Sequence, residues 1–232
     1  MLASAGDPQS SYDVGVPEVT YLNRGMYDIV EAARLVGVSP GTILRWSDRT
    51  SRRPALVIPS LGGLYSFHDL ISLNVVAQLA RRRVRLVDIA VGIRTLADDL
   101  RTATPLAHRG LESRIATVGR RFFARPPTEP EWIDAGQGGQ RAFQTIVEPA
   151  LRQLEYGPDQ LASIWRPHER VWLNPRVQAG ASCIDQTRIP TATILQIVTS
   201  GDDLHDVAGD YDIDLEDVIA ALRFERSLER AA

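Results

Sequence analysis

Apolar residues recur at intervals of three and four near the N-terminal end of the chain. Ile29, Ala32, Ala33 and Val36 make one face of a first short helix. Gly37 then supplies the residue that tolerates a left-handed backbone at a helix end. Ser39 followed by Pro40 is a start signal, with Ser as N-cap and Pro at the first helical position. The second helix runs from Pro40 to Asp48; Ile43 and Leu44 are expected to face inward, leaving Gly41, Thr42, Arg45 and Arg49 outward. A tight helix pair whose second member presents Thr and Arg fits a recognition helix in a major groove, and it equally fits any small helical hairpin. Residues 55–59 and Leu64-Tyr65 flank Gly62-Gly63, which predicts a hairpin, hence a wing.

The pattern continues into two longer helices. Ser66 with Asp69 reads as a capping box, opening a helix with Leu70, Leu73, Val76, Ala77 and Ala80 on one side. Past Arg81-Arg82-Arg83, a fourth helix carries Leu86, Ile89, Ala90, Ile93, Leu96 and Leu100. Residues 27–100 resemble the winged-helix head of MerR-type regulators. The resemblance rests on the Gly37-Val38-Ser39 turn, Thr42 with Arg45-Trp46, Gly63 with Tyr65-Ser66 and Asp69-Leu70, and Val87, Ile89 and Gly92-Ile93-Arg94. It implies a DNA surface made by Ser39, Gly41, Thr42, Arg45 and Trp46, with Thr42 and Arg45 toward the groove. Arg49, Arg52, Arg53 and Tyr65 are implied to touch phosphates, contacts that set position more than sequence preference.

Residues 112–185 change texture. Short extended runs are expected at 114–119, 121–125, 131–134, 141–147, 164–165, 171–173 and 177–184, joined by Pro, Asn and Gly turns, and together they predict a small antiparallel sheet. The loop holding Gly136, Gly138 and Gly139 lacks a following Lys-Ser/Thr and reads as a hairpin tip rather than a phosphate cradle. Trp165 and Trp172 can either stack on a ligand or bury sheet against helix.

Helical spacing returns beyond residue 187. Ile194, Leu195 and Val198 mark one helix, closed by Ser200-Gly201; Asp203 caps a short second, and Asp214 with Asp217 opens a third, with Leu215, Val218, Ile219 and Leu222 inward. The string Asp185-Gln186-Thr187-Arg188-Ile189-Pro190, then Tyr211, Ile213, Leu215, Asp217-Val218 and Ala221-Leu222, is similar to a small antitoxin family encoded beside toxins with a PIN-like ribonuclease domain. That family usually has Gly where this chain has Gln186. Joined to a MerR-like head, the arrangement resembles the long VapB-type antitoxins of actinobacteria. The resemblance implies a chain that binds and neutralises its cognate PIN-like toxin, binds operator DNA to repress its own operon, and works as a homodimer or a larger hetero-oligomer with the toxin. Arg188 joins the implied DNA-binding set.

Charge sharpens this picture. Although the formal net charge is −3, residues 81–125 hold eleven Arg against Asp88, Asp98, Asp99 and Glu112, a formal +7. Residues 199–232 hold ten carboxylates against Arg223, Arg226 and Arg230, a formal −7. The basic stretch either extends a DNA footprint by neutralising phosphates or is a solvated linker helix. The acidic end cannot easily lie on phosphates, but it suits a basic ribonuclease cleft. Asp202, Asp203, Asp206, Asp210, Asp212, Asp214, Glu216 and Asp217 are accordingly the candidate toxin-binding set, with a solvated acidic surface as the plain alternative.

Composition adds limits. All 26 basic residues are Arg, a mark of genome composition rather than of a binding mode. The single Cys183 excludes an intrachain disulfide framework and a multi-cysteine metal site, so a reducing cytoplasm is expected. His68, His108, His168 and His205 are scattered, outside metal-ligand spacing. No catalytic residue, metal or cofactor is expected, and no membrane segment. The expected fold is mainly α with small β elements (α+β). Its expected units are a flexible arm over 1–20, a winged helix-turn-helix over 21–104, a β-rich region over 105–170 and a C-terminal helix-turn-helix over 171–232. The other functional expectation is a MerR-like transcriptional regulator that answers a small molecule or stress signal.

Overall fold

The computed structural model describes residues 24–50, 53–114 and 147–231. Helix α1 (Ile29–Val36) begins where the Asp28 carboxylate accepts the Glu31 amide at 2.8 Å and ends at Gly37, whose φ of 67° is left-handed. Helix α2 (Pro40–Ser47) begins two residues later on Ser39, whose Oγ accepts from the Thr42 amide. Ile43 and Trp46, three apart, turn into the core together, whereas Leu44, a further 100° around the helix, is 54% exposed. The inward pair is therefore Ile43 and Trp46, not Ile43 and Leu44.

The hairpin expected over 55–65 is reduced to backbone bridges. Leu61 pairs with Leu64 across Gly62-Gly63, and Tyr27 exchanges both backbone hydrogen bonds with Tyr65. Asp69 explains the tight course of this segment. Its Oδ2 accepts from the Ser60 amide at 3.1 Å, the Ser60 hydroxyl at 2.5 Å and the Ser66 amide at 2.8 Å. The same contact completes the capping box of helix α3 (Phe67–Arg81). Eleven of the fifteen α3 residues are buried, so α3 is the central rod on which the head is assembled. Helix α4 (Leu86–Leu100) packs Ile89, Ala90 and Leu96 inward and leaves Val87 and Val91 exposed. A 3₁₀ turn at Pro105–Ala107, which the apolar spacing does not announce, packs against both α3 and α4.

Four strands follow: β1 (Leu154–Tyr156), β2 (Ala162–His168), β3 (Val171–Leu173) and β4 (Ser182–Ile184). They pair in chain order as an antiparallel meander. The expected small antiparallel sheet is present: β3 coincides with the run expected at 171–173, β2 contains 164–165 and β4 is the end of the run expected at 177–184, whereas no run is expected at β1. Strand β1 carries no alternation that sequence could show, and 177–181 is not extended: Gln178–Gly180 is a 3₁₀ turn. Arg114 lies in a helical stretch rather than a strand, and the other runs expected between 115 and 146, with the Gly136 loop, lie outside the described residues. Trp165 is buried, its Nε1 donating to Gln153 Oε1 at 3.3 Å, while Trp172 Nε1 donates to the Thr187 carbonyl at 3.2 Å.

The chain closes with α5 (Thr191–Thr199), α6 (Leu204–Asp210) and α7 (Leu215–Ala231). Ile194, Val207, Val218, Ala221 and Leu222 form their own core with Ile184 of β4. The first core gathers the head together with Trp165 and Leu173 of the sheet. A third, small cluster joins Val171, Phe224 and Leu228, with Leu35 of α1 packed on it. The last helix therefore touches the first.

Polar contacts follow the same seam. The Tyr27 hydroxyl donates to the Gly180 carbonyl at 2.8 Å, and the Met26 amide donates to the Ala179 carbonyl at 3.0 Å. Gly180, at φ 92°, is required there, because a Cβ would collide with the Tyr27 hydroxyl. Glu225, 4% exposed, accepts from Thr191 Oγ1 at 2.5 Å and faces Arg34 Nη2 at 3.6 Å. Among the described residues, no helix is long and apolar enough to cross a membrane.

Candidate functional site

Helix α2 presents a continuous polar face. Ser39 Oγ lies 3.0 Å from Thr42 Oγ1, and Arg45 Nη2 donates to the same Thr42 oxygen at 3.0 Å. The chain Ser39–Thr42–Arg45 thus advances one step per turn along the solvent side, and Arg45 is held ready rather than free to sweep. Nothing lies within 4 Å of a Cβ built on Gly41, so the start of this face is open to a close-approaching surface. Exposed Leu44, Arg49 and Thr50 continue it. A surface of hydroxyls and guanidinium on one short helix has the donor and acceptor set for reading base edges and phosphates.

The other residues expected on this surface have different places. Trp46 is 3% exposed and Tyr65 2% exposed; the Tyr65 hydroxyl sits 2.8 Å from Ser47 Oγ, beneath the end of α2. Their aromatic bulk supports α2 from below instead of facing outward. Arg53 folds back on the same helix end: Nη1 donates to the Asp48 and Pro54 carbonyls at 3.3 and 3.0 Å, and Nη2 donates to the Arg45 carbonyl. It thereby serves carbonyls that α2 leaves unpaired. Arg52 lies outside the described residues. Arg188 is exposed in the β4–α5 connection, a separate part of the chain, with its carbonyl held by Gln178 Nε2 at 3.0 Å. Ser39, Gly41, Thr42, Arg45 and Arg49 are the members of the set brought onto one exposed surface.

Basic residues nearby are partly committed. Arg81 Nη2 donates to the Val36 and Gly37 carbonyls at 2.8 and 3.0 Å, closing the end of α1. Arg85 pairs with Asp88. Arg82, Arg83, Arg94, Arg101, Arg109 and Arg114 are exposed.

The acidic end has its own division of labour. Asp203 caps α6 by accepting the His205 amide at 2.8 Å. Asp214 and Asp217 share Arg170 Nη1 at 3.3 and 2.8 Å, and Asp217 Oδ2 also accepts the Asp214 amide at 3.1 Å. Asp202, Asp206, Asp210, Asp212 and Glu216 are exposed. Two open depressions, of about 280 and 520 Å³, flank the outer side of α7 and share Ile219 and Arg223. Among the described residues no group of three or more His, Cys, Asp or Glu could hold a metal ion. Burial pushes the Cys183 thiol up to about 11, which keeps it protonated at neutral pH and a poor nucleophile.

Two features escaped the sequence pattern. Glu225 falls seven residues after Val218 on the buried stripe of α7, a spacing that marks it as inward-facing. The depressions beside α7 depend on which elements stand next to it, and spacing does not report that.

Taken together, these features define an α+β protein with an exposed polar face on α2 and an acidic three-helix module at the C-terminal side of the chain. Known proteins resemble the chain along much of its length. The family described as "Protein of unknown function (DUF433)" matches residues 171–224, which spans β3 to α7. Along most of its length the chain is similar to two Mycobacterium tuberculosis (strain ATCC 25618 / H37Rv) proteins. "Uncharacterized protein Rv2308" is 24% identical over 224 residues, covering 90% of this chain and 94% of that one. "Putative antitoxin VapB45" is 26% identical over 247 residues, covering 94% of this chain and 100% of that one. The crystal structure of Rv2018 from the same organism has the same fold, with a TM-score of 0.68 at 23% identity, covering 87% of this chain and 99% of that chain.

Proposed function

We propose that this chain is an antitoxin. It binds and neutralises a PIN-like ribonuclease through its acidic C-terminal module, and it binds operator DNA through α2 to repress its own operon. The observation that carries this reading is the end-to-end similarity to a protein named as a VapB antitoxin, in a chain that also exposes the Ser39–Thr42–Arg45 face.

In this reading the head is a reduced MerR-like winged helix. Helix α2 enters the major groove, and the tight Leu61–Leu64 turn stands where a wing would be. A homodimer would present two such helices to paired half-sites, and the exposed Val87 and Val91, one turn apart on α4, support a contact between protomers there. The chain itself carries out no reaction; it acts by occupying RNA-binding and DNA-binding surfaces in the cytoplasm. Electrostatics supports the division. The carboxylates around α6 and α7 would repel phosphates, while a ribonuclease cleft is expected to be basic.

The test is co-expression of the full chain with the product of the adjacent reading frame, followed by co-purification, a ribonuclease assay and mobility shifts on the chain's own promoter. A stable complex with suppressed nuclease activity and a shifted promoter is the expected result. A chain that neither binds its neighbour nor shifts the promoter would overturn the proposal.

A further inference from the structure

The two depressions beside α7 are neighbours. Ile219 and Arg223 line both, so the two adjoin across the solvent side of the helix and offer one elongated trough to a partner that spans them. Its floor is Ile219, Ala220 and Arg223. The β2–β3 turn makes one wall with Glu169, near Glu216 at the head of α7; the α5–α6 turn makes the other with Asp202 and Asp203. The trough is therefore apolar along its centre, carries carboxylates on both rims and has Arg223 on its floor. Arg170 and Arg226 also line it, and Arg226 has an interaction of its own. Among the described residues Arg223 has no hydrogen-bond or ion-pair partner. Arg170, by contrast, is neutralised by Asp214 and Asp217.

This pattern selects among occupants. Nucleic acid is disfavoured by the acidic rims, and so is the acidic face of a second copy. A small ligand would find an open channel rather than an enclosed pocket with convergent polar groups. A protein segment with an apolar stripe, one carboxylate and basic flanks matches the apolar floor, Arg223 and the rim carboxylates together. We propose that the trough along α7 is the docking site for such a segment of a basic partner protein. The segment seats its apolar side on Ile219, its carboxylate on Arg223 and its basic flanks on Asp202, Asp203, Glu169 and Glu216. The proposal rests on the reading of the C-terminal module as toxin-binding, and it moves the contact from eight dispersed carboxylates to one groove.

The experiment measures binding of the full-length chain to the adjacent-frame product by calorimetry at physiological ionic strength. It compares wild type, Arg223→Glu, Glu216→Arg and the triple variant Asp206→Asn, Asp210→Asn, Asp212→Asn, which lies outside the trough. Arg223 and Glu216 are exposed, so both reversals should melt as wild type does. Each reversal is expected to weaken binding by at least about 30-fold, and the triple variant by less than about threefold. Wild-type binding that survives both reversals and collapses in the triple variant overturns the trough and leaves the antitoxin reading standing. Loss of self-association in Arg223→Glu, with partner binding intact, also overturns it, by making the trough a contact between copies. Absence of wild-type binding removes the antitoxin reading and this proposal together.

Discussion

Two single residues show how differently a polar group can serve this molecule. Tyr27 is fully buried, its hydroxyl donates to Gly180, and burial holds its phenol well above the usual range. Tyr27→Phe leaves the Gly180 carbonyl without that donor, and a loss of about 1–3 kcal/mol is expected in denaturant unfolding. Arg45 is the opposite case: exposed, tethered to Thr42, and contributing little to the core. Arg45→Ala should leave the melting temperature unchanged yet reduce operator affinity by about 10- to 100-fold, the magnitude of one lost base-reading contact. Mobility shifts decide it, with Arg188→Ala as comparison; full affinity in Arg45→Ala would remove α2 as the reading helix. Both roles were partly legible. The N-cap and spacing of α2 placed Arg45 outward, but Trp46 and Tyr65 resembled binding residues because motif position says nothing about depth. Only packing shows that each is at most 3% exposed.

At the scale of elements, the α-helices with side-chain caps and three of the four strands were legible, and β1 was not. Caps at Asp28, Ser39, Ser66 and Asp203 are local hydrogen bonds, written within three residues of the helices they start. Strand β1 exists because β2 lies beside it; Leu154, Glu155 and Tyr156 carry no such local instruction. The junction of α3 with β2 provides a measurable handle. His68 Nε2 lies 3.0 Å from the Ala162 carbonyl, and burial lowers the imidazole below its ordinary value of 6.5, partly offset by that hydrogen bond. The folded state therefore resists a proton that the unfolded chain accepts. The stability held by the neutral ring is fully present above 6.5 and is lost as pH falls below it. Denaturation midpoints measured from neutral to mildly acidic pH should fall through this window, and His68→Gln should flatten that part of the curve. An equal slope in the variant would assign the effect elsewhere.

Across the whole molecule the decisive feature is the seam between the first helix and the last. Leu35 packs against the Val171–Phe224–Leu228 cluster, while Glu225 joins Thr191 to Arg34. None of the contacts between α1 and α7 is visible as a motif, since those partners lie more than 150 residues apart and only the closed fold brings them together. Glu225→Ala removes a buried acceptor, with an expected loss of about 1–3 kcal/mol, part of the Arg34 contact being screened by solvent. Hydrogen exchange provides the sharper readout. Amides of α1 should exchange faster in the variant although the substitution lies in α7, and unchanged α1 protection would show that the two ends open independently.

That seam also sets how the protein can be removed. A cleavage anywhere in α7 before Phe224 strips away the cover of Leu35 and the partner of Arg34 in one event. The end that carries α1 and α2 would loosen although its own residues are intact. Lifetime, more than occupancy, would then govern both surfaces, because a single cut retires the molecule as a unit.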